Sequence, residues 1–206
     1  MNFADRLIAS ELQDSLGGCV IGGRIIVLAS TRSTNDFLIQ MLTPELTEGL
    51  IVFAEEQTAG RGQRGNRWAS AAGLGLWFSI LLRPQLQPAK SARLTQWVSE
   101  GIVRTIEKEF GLRATIKPPN DVFLGGRKIA GVLVEMKAGK GSDLAAIVGI
   151  GVNVNHAEKD FPVELRAVAG SLAMVLGHPV NRTKLALALL KELDETRAAV
   201  ESAAGR

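Results

Sequence analysis

Apolar residues recur every three to four positions in several segments, which is the spacing of one buried face of a helix. The clearest segment is 88–110, with Pro88 near its start and Gly111 just after its end. Ser33 or Thr34 is placed to cap another helix. The predicted helices cover 3–16, 35–42, 88–110, 171–177 and 181–200, and their buried faces include Leu94, Val98, Ile102, Ile106, Phe110, Leu185, Leu189 and Leu193.

Shorter apolar runs bounded by glycine, proline or polar residues predict strands. These runs cover 24–30, 49–57, 73–83, 121–124, 127–136 and 143–154. Gly125 and Gly126 predict a two-residue turn between the fourth and fifth runs, and AGKGS (138–142) predicts a second hairpin. Strands cluster in the middle of the chain and helices at its ends. We therefore expect one α+β domain with a mixed, largely antiparallel sheet and helices mainly on one face.

The composition is that of an ordinary globular protein, since 206 residues with 46% hydrophobic residues can bury the core of one domain. The single Cys19 excludes an internal disulfide framework, and no segment has the basic start and apolar block of a secretory signal. The longest apolar runs are too short for a membrane helix. We expect a cytoplasmic protein without a membrane partner.

Positive charge is concentrated in one stretch of the chain. A net charge of +3 is too small to indicate nucleic-acid binding. However, neither Asp nor Glu occurs from Gln57 to Ser99. The basic residues in this stretch are Arg61, Arg64, Arg67, Arg83, Lys90 and Arg93. The sequence therefore predicts a local positive field around its glycine-rich part.

That part, GRGQRG (60–65), matches the G-x-G-x-x-G pattern of dinucleotide-binding loops. A Rossmann unit also requires a helix after the glycines and an acidic residue about 20 positions further on. Here a strand follows, and the next acidic residue is Glu100. Asn66 and Arg67 exclude a Walker A loop. Two interpretations remain: a mobile surface loop, or a flexible clamp whose arginines and backbone N–H groups hold carboxylate or phosphate oxygens.

The predicted turn at 125–126 brings a lysine close to a carboxylate. With this turn, Phe123 pairs with Lys128 and Asp121 pairs with Ala130 across the two strands. Asp121 and Lys128 are then diagonal neighbours on one face of the sheet. The carboxylate could hold a metal, and the ammonium could neutralise developing charge. The alternative is a solvated ion pair of little energetic weight.

Five fragments of the chain occur in a specific order and spacing. They are Ser33-Thr34-Asn35, EEQTAGRGQRGNRW (55–68), KPPND (117–121), GRKIAGVLVE (126–135) and GIGVNVN (149–155). Together they resemble the catalytic domain of biotin protein ligases, also called biotin–[acetyl-CoA-carboxylase] ligases. The resemblance runs from about residue 24 to residue 155 and returns weakly in the last helices. It implies the biotin–lipoate ligase fold, which is similar to that of class II aminoacyl-tRNA synthetases.

The resemblance implies a reaction in two steps. Biotin would react with ATP, in the presence of Mg²⁺, to give biotinyl-5′-AMP and pyrophosphate. A lysine of a biotin carboxyl carrier protein, a subunit of acetyl-CoA carboxylase, would then take the biotin as an amide. Since neither an N-terminal helix-turn-helix nor a small C-terminal β domain is recognised, we expect a single catalytic domain over 1–206 and no DNA partner. A homodimer remains an open alternative.

The resemblance also implies the site residues. Lys128 and Arg61 would be the catalytic cations. The residues that contact biotin would be Ser33, Thr34, Asn35, Gln57, Gly60, Arg61, Gly62, Gln63, Lys128 and Gly131. The residues that contact ATP or the adenylate would be Arg64, Trp68, Asn120, Asp121 and Asn153, and Asp121 with Asn120 would also hold the metal. From the residues alone, Trp68 could equally be core packing and Asn153 a turn after a strand.

Two positions depart from the family pattern. Gln63 stands where a second loop arginine helps to retain the adenylate, although Arg64 or Arg67 could substitute. Pro118 stands where a tryptophan is usual. Two other functions therefore stay open: a lipoate or octanoate ligase on the same fold, and a catalytically weakened module that binds biotin or the carrier.

Overall fold

A seven-stranded sheet forms the centre of the computed structural model, which describes residues 5–84, 91–138 and 144–202. The strands are β1 Arg24–Leu28, β2 Leu50–Ala54, β3 Gly75–Leu82, β4 Thr115–Lys117, β5 Asp121–Leu124, β6 Arg127–Ala138 and β7 Leu144–Asn153. Their order in the sheet is β1-β2-β3-β7-β6-β5-β4. The β1–β2 pair is parallel and the other five neighbouring pairs are antiparallel. The prediction of a mixed, largely antiparallel sheet is confirmed.

The helices cover both faces of the sheet unequally. They are α1 Ala9–Ser15, α2 Thr34–Met41, α3 Ala92–Phe110, α4 Leu172–Leu176 and α5 Arg182–Ser202. The main core lies between one face of the sheet and α1, α3 and α5, with α3 and α5 packed on each other. Only α2 among the described helices packs on the opposite face, over β2, β3 and β7. That sparsely covered face leaves room for a pocket.

The β5–β6 hairpin forms as predicted at its turn. Gly125 and Gly126 have φ angles of 59° and 78°, which fit a two-residue turn with both central residues left-handed. Phe123 opposes Lys128, as the two-residue turn requires. The second predicted turn, AGKGS, lies largely outside the described residues, but β6 and β7 do pair antiparallel on either side of it.

One predicted strand pairing is wrong. Asp121 opposes Gly131 instead of Ala130, because the register shifts between Val122 and Phe123 and leaves Ile129 as an extra residue on β6. A bulge of this kind adds one residue to one strand and bends it locally. Asp121 and Lys128 still meet on the same face of the sheet.

Three other predictions need correction or completion. The first helix begins at Ala9, because Asp5 and Leu7 are bonded to distant residues instead of to a helical turn. The short edge strand β4 had no recognisable pattern in the sequence. The predicted start of α3 at residue 88 lies outside the described residues, whereas its end at Gly111, with φ of 66°, is confirmed. No described helix is long and apolar enough to cross a membrane.

A buried ionic network ties the first described residues to the start of α5. The Arg182 side chain, 3% exposed, lies 2.8 Å from Glu55 Oε2 and 3.0 Å from Asp5 Oδ2. The other oxygen of Glu55 accepts a hydrogen bond from the backbone N–H of Leu7. Because both side chains of the Arg182–Glu55 pair are buried, the loss of either charge would leave the other buried without a counter-charge.

Replacement of Arg182 by methionine should lower the free energy of unfolding by about 3–5 kcal/mol, because it leaves Glu55 buried without its counter-charge. Urea unfolding followed by circular dichroism measures the change. Arg113→Met at an exposed position is the matched control, with an expected effect within about 0.5 kcal/mol. Equal stability of the two variants would contradict the role given to Arg182.

Candidate functional site

Three glycines form the floor of a cavity on the face of the sheet opposite α3 and α5. In β7, Val148, Ile150 and Val152 point into the main core, so Gly149 and Gly151 lie on the other face. A Cβ atom at Gly149 would lie 2.3 Å from Asn35 Oδ1, and one at Gly151 would lie 2.6 Å from the Trp68 ring. At Gly131 on the adjacent strand, the distance to the same ring would be 2.9 Å. Because glycine alternates with apolar residues along β7, one face of this strand lies in the core and the other forms part of the cavity floor.

The cavity above this floor has a volume of about 240 Å³. All but two of the predicted site residues line it: Ser33, Thr34, Asn35, Gln57, Arg61, Gly62, Gln63, Arg64, Trp68, Asn120, Asp121, Lys128 and Gly131. Asn66, Arg67, Pro118 and Pro119 complete its rim. Segments far apart in sequence therefore converge on one cavity, as the fragment pattern predicted.

The two exceptions lie just outside the cavity. Gly60 lies close to Gln57 and to the Trp68 backbone. A Cβ atom at Gly60 would be 2.6 Å from the Trp68 carbonyl oxygen. Asn153 lines a smaller adjoining cavity of about 110 Å³, which shares Trp68 and Lys128 with the first. The Asn153 side chain is buried and donates a hydrogen bond of 2.9 Å to the Gly170 carbonyl oxygen. This bond closes the end of β7. Neither Asn153 nor Gly60 is among the described residues that line the larger cavity.

Uncharged polar groups are fixed around the Gly149 end of the floor. The backbone N–H of Thr34 donates to Gln57 Oε1 at 2.8 Å, and Gln57 Nε2 donates to Ser70 Oγ at 2.9 Å. Ser79 Oγ donates to Asn35 Oδ1 at 2.5 Å. These bonds fix both side-chain amides in one orientation. Ser33 caps α2, which sets Thr34 and Asn35 in its first turn.

A charged pair occupies the Gly131 end. Lys128 Nζ lies 2.6 Å from Asp121 Oδ1, with the two side chains 31% and 26% exposed. The same ammonium lies 5.3 Å from the centre of the Trp68 ring, within range of a cation–π contact. The ion pair predicted from the hairpin is confirmed, and it lies inside the cavity instead of on an open surface. Trp68 is half-buried over the glycine floor, so it is both a packing residue and a wall of the cavity.

The glycine-rich loop closes on itself above this pair. Gly62 N–H donates to the Asn66 carbonyl oxygen, and Trp68 N–H donates to the Gly60 carbonyl oxygen. Arg64 at the tip has a left-handed φ of 56°. Only a short 3₁₀ turn, Gln63–Gly65, follows the first glycines, so the loop is not a dinucleotide-binding turn.

The loop arginines differ in their partners. Arg61 lies 2.7 Å from Asp36 Oδ1 and 2.5 Å from Glu135 Oε2. Burial lowers the pKa of Arg61, but its bonds to these carboxylates outweigh that effect and raise it above the ordinary value. Within the described part of the chain, Arg64 and Arg67 form no ion pair. The loop thus presents cations without a counter-charge at the cavity rim.

Sequence reasoning missed Asp36, Ser70, Ser79 and Glu135. Two weak signals were present: Ser79 interrupts the apolar run LWFSILL, and Glu135 follows Gly131 at an even spacing along β6. An even spacing on a strand puts both residues on the same face. The contact of Asp36 with Arg61 had no signal in the sequence.

Residues 27–155 match the model of the biotin/lipoate A/B protein ligase family. The bifunctional ligase/repressor BirA of Bacillus subtilis is 38% identical over 180 residues, which are 86% of this chain and 54% of that protein. A biotin–[acetyl-CoA-carboxylase] ligase of Paracoccus denitrificans is 39% identical over 159 residues, or 75% of this chain and 65% of that protein. The biotin protein ligase of Aquifex aeolicus, solved with biotin and ATP, superimposes with a TM-score of 0.75 at 31% identity, covering 86% and 72% of the two chains.

The fold places the chain among α+β domains that carry a pocket on one face of a mixed sheet. Within that class, the chain belongs to the biotin/lipoate A/B protein ligase family. It spans about half the length of the BirA proteins that it matches.

Proposed function

We propose that the protein is an ATP-dependent ligase that activates biotin as biotinyl-5′-AMP and transfers the biotinyl group to a lysine of a biotin carboxyl carrier protein. One observation carries the proposal: uncharged polar groups lie at one end of the cavity and the Lys128–Asp121 pair at the other. Biotin has the same distribution, with an uncharged urea at one end and a carboxylate at the other. The names of the related proteins support the same substrate.

The urea end of biotin would lie against α2 and Gln57. A urea offers one oxygen acceptor and two N–H donors, which suit hydroxyl and amide side chains. Ser33, Thr34 and Asn35 supply such groups from the first turn of α2. The glycine floor lets Asn35 and Trp68 lie directly against the sheet, because side chains at these positions would overlap them.

The carboxylate end would lie beside Lys128. In the first step, a carboxylate oxygen attacks the α-phosphorus of ATP, the bond to the β-phosphate oxygen breaks, and pyrophosphate leaves. Lys128 would neutralise the charge that gathers on the carboxylate and α-phosphate oxygens. In the second step, the carrier's lysine amine attacks the acyl carbon, AMP leaves, and the amine loses a proton. Arg61 and the unpaired loop arginines would retain the anionic intermediate between the steps.

Magnesium, which the family resemblance implies, would neutralise phosphate charge when bound with ATP. The described residues contain no cluster of three or more Asp, Glu, His or Cys side chains. Mg²⁺ bound with a nucleotide typically needs only one or two carboxylates besides phosphates and water. Asp121 and the neighbouring Asn120 fit that requirement, and both line the cavity. If Asp121 binds the metal, Lys128 is free to contact the substrate.

A lipoate or octanoate ligase is the main alternative. A dithiolane ring or an alkyl chain forms no hydrogen bonds with the polar groups around Gln57. Binding either of them would bury these polar groups unpaired, which costs free energy. We therefore favour biotin. The adenylate that forms in a mixture of biotin and lipoate distinguishes the two ligases. Formation of lipoyl-AMP, with no biotinyl-AMP, would select the alternative.

A binding module is the second alternative. Biotin binding without pyrophosphate release would select it.

Replacement of Gln63 by arginine should slow the release of bound adenylate by about tenfold, because it adds a charge-assisted bond to an anion. Conversely, Arg67→Gln should accelerate release, since Arg67 borders both cavities. Filter-trapped radiolabelled adenylate, chased with unlabelled biotin, gives the release rate. Arg113→Gln, at an exposed position outside the loop, is the control. An unchanged rate in both loop variants would exclude these positions from the clamp.

A further inference from the structure

Glu135 stands between the two sides of the cavity. It lies on β6, two positions after Leu133 and four after Gly131, and these two residues line the cavity. Strand alternation puts Glu135 on the same face. Its side chain is 20% exposed. The family resemblance implies no role for it.

The Glu135 carboxylate bonds to one residue from each side of the cavity. Oε2 accepts a hydrogen bond of 2.9 Å from Asn35 Nδ2 in the first turn of α2. Both oxygens meet the Arg61 guanidinium of the glycine-rich loop, at 2.5 Å and 3.3 Å. Asn35 is held from its other end by Ser79. One carboxylate thus joins the α2 side of the cavity to the loop that covers it.

The charge of Glu135 is stabilised at this place. Burial raises the pKa of the Glu135 carboxyl, but the bonds from Arg61 and Asn35 outweigh burial and hold the pKa below its ordinary value. Lys137 Nζ lies 4.0 Å away and adds to the positive surroundings. Asp36 also contacts Arg61, but its side chain is 40% exposed, so its bond is the more strongly screened of the two.

We propose that Glu135 is a positioning residue that links the Asn35 side of the cavity to closure of the loop through Arg61. This rests on the proposed function. Occupation of the α2 side by biotin stabilises the orientation of Asn35, and the shared carboxylate then holds Arg61 over the intermediate. Loss of the charge at Glu135 frees the loop while the α2 side remains formed.

Two variants of Glu135 separate its two contacts. Glu135→Gln retains an oxygen that can accept from Asn35 but loses the charge opposite Arg61. It should release biotinyl-AMP about fivefold to tenfold faster while binding biotin within about twofold of the unchanged protein. Glu135→Ala loses both contacts and should weaken both properties. Asp36→Asn is the matched control, because it removes one carboxylate from Arg61 without touching Asn35, and it should change the release rate less than about threefold.

The coupling itself is tested in an Arg61→Ala background. If Glu135 acts through Arg61, Glu135→Gln should change release by less than about twofold in that background. The same factor in both backgrounds, or no effect of Glu135→Gln in either, would overturn the proposal.

A second readout does not depend on activity. Without ligand, trypsin should cleave the loop after Arg61 or Arg64 faster in Glu135→Gln than in the unchanged protein, at an equal melting temperature. Equal cleavage rates would overturn the proposal even if catalysis differs. Adenylate formation by the unchanged protein serves as the separate check on function: its absence, with faster cleavage in the variant, would refute the ligase activity and keep the structural link.

Discussion

Replacement of Lys128 by alanine is expected to slow the formation of biotinyl-AMP by about 100-fold to 1,000-fold. The side chain is the ammonium closest to Asp121, at 2.6 Å, within the cavity. Its loss removes the ammonium that would neutralise the charge on the incoming carboxylate and the α-phosphate. Single-turnover formation of adenylate from radiolabelled ATP gives the rate.

Two further lysine variants sharpen that result. Lys128→Arg keeps the charge with a different shape and should retain part of the rate. Lys184→Ala, at an exposed position of α5, should leave the rate unchanged. A rate for Lys128→Ala within threefold of the unchanged protein, with a normal melting temperature, would show that Lys128 is not the main catalytic charge.

The second large effect is expected at the cavity floor. Gly149→Ala should weaken biotin binding by about tenfold or more, because the new Cβ would lie 2.3 Å from Asn35 Oδ1. Asn35 cannot easily move aside, since it is bonded to both Ser79 and Glu135. Calorimetric titration with biotin, without ATP, measures the loss separately from catalysis.

Gly17→Ala is the control for the floor variant, because a Cβ at Gly17 would meet only the Asp14 carbonyl oxygen at an ordinary 3.5 Å. It should bind biotin normally. If Gly149→Ala is folded and binds biotin within twofold of the unchanged protein, the position of Asn35 does not determine biotin binding.

Most of the site residues followed from the family resemblance, and the contact of Lys128 with Asp121 also followed from a local sequence pattern. The Gly125-Gly126 turn specified which strands pair, and from that pairing the contact of Lys128 with Asp121 was predictable. Alternation in GIGVN likewise separates core residues from floor residues, because successive side chains on a strand point to opposite faces. Such signals are local, since they depend on a turn or on one strand.

Other parts of the site depend on contacts between distant segments. The Arg61–Glu135 bond joins residues 74 positions apart, and no pattern near either residue indicates the other. The bulge at Ile129 was equally hidden, because an apolar residue in an apolar strand gives no sign that it is unpaired. Asn153 is a further case, since its partner Gly170 lies beyond the fragments that suggested the family. Tertiary contacts alone decide these features.

We propose that this cavity joins biotin to AMP. Purified protein incubated with biotin, Mg²⁺ and ATP labelled at the α-phosphate should form one labelled biotinyl-AMP per active site and release unlabelled pyrophosphate. The product should disappear when biotin is omitted and fall to trace levels in Lys128→Ala. Absence of biotinyl-AMP above the Lys128→Ala background, from protein that binds biotin, would show that the cavity does not catalyse this reaction.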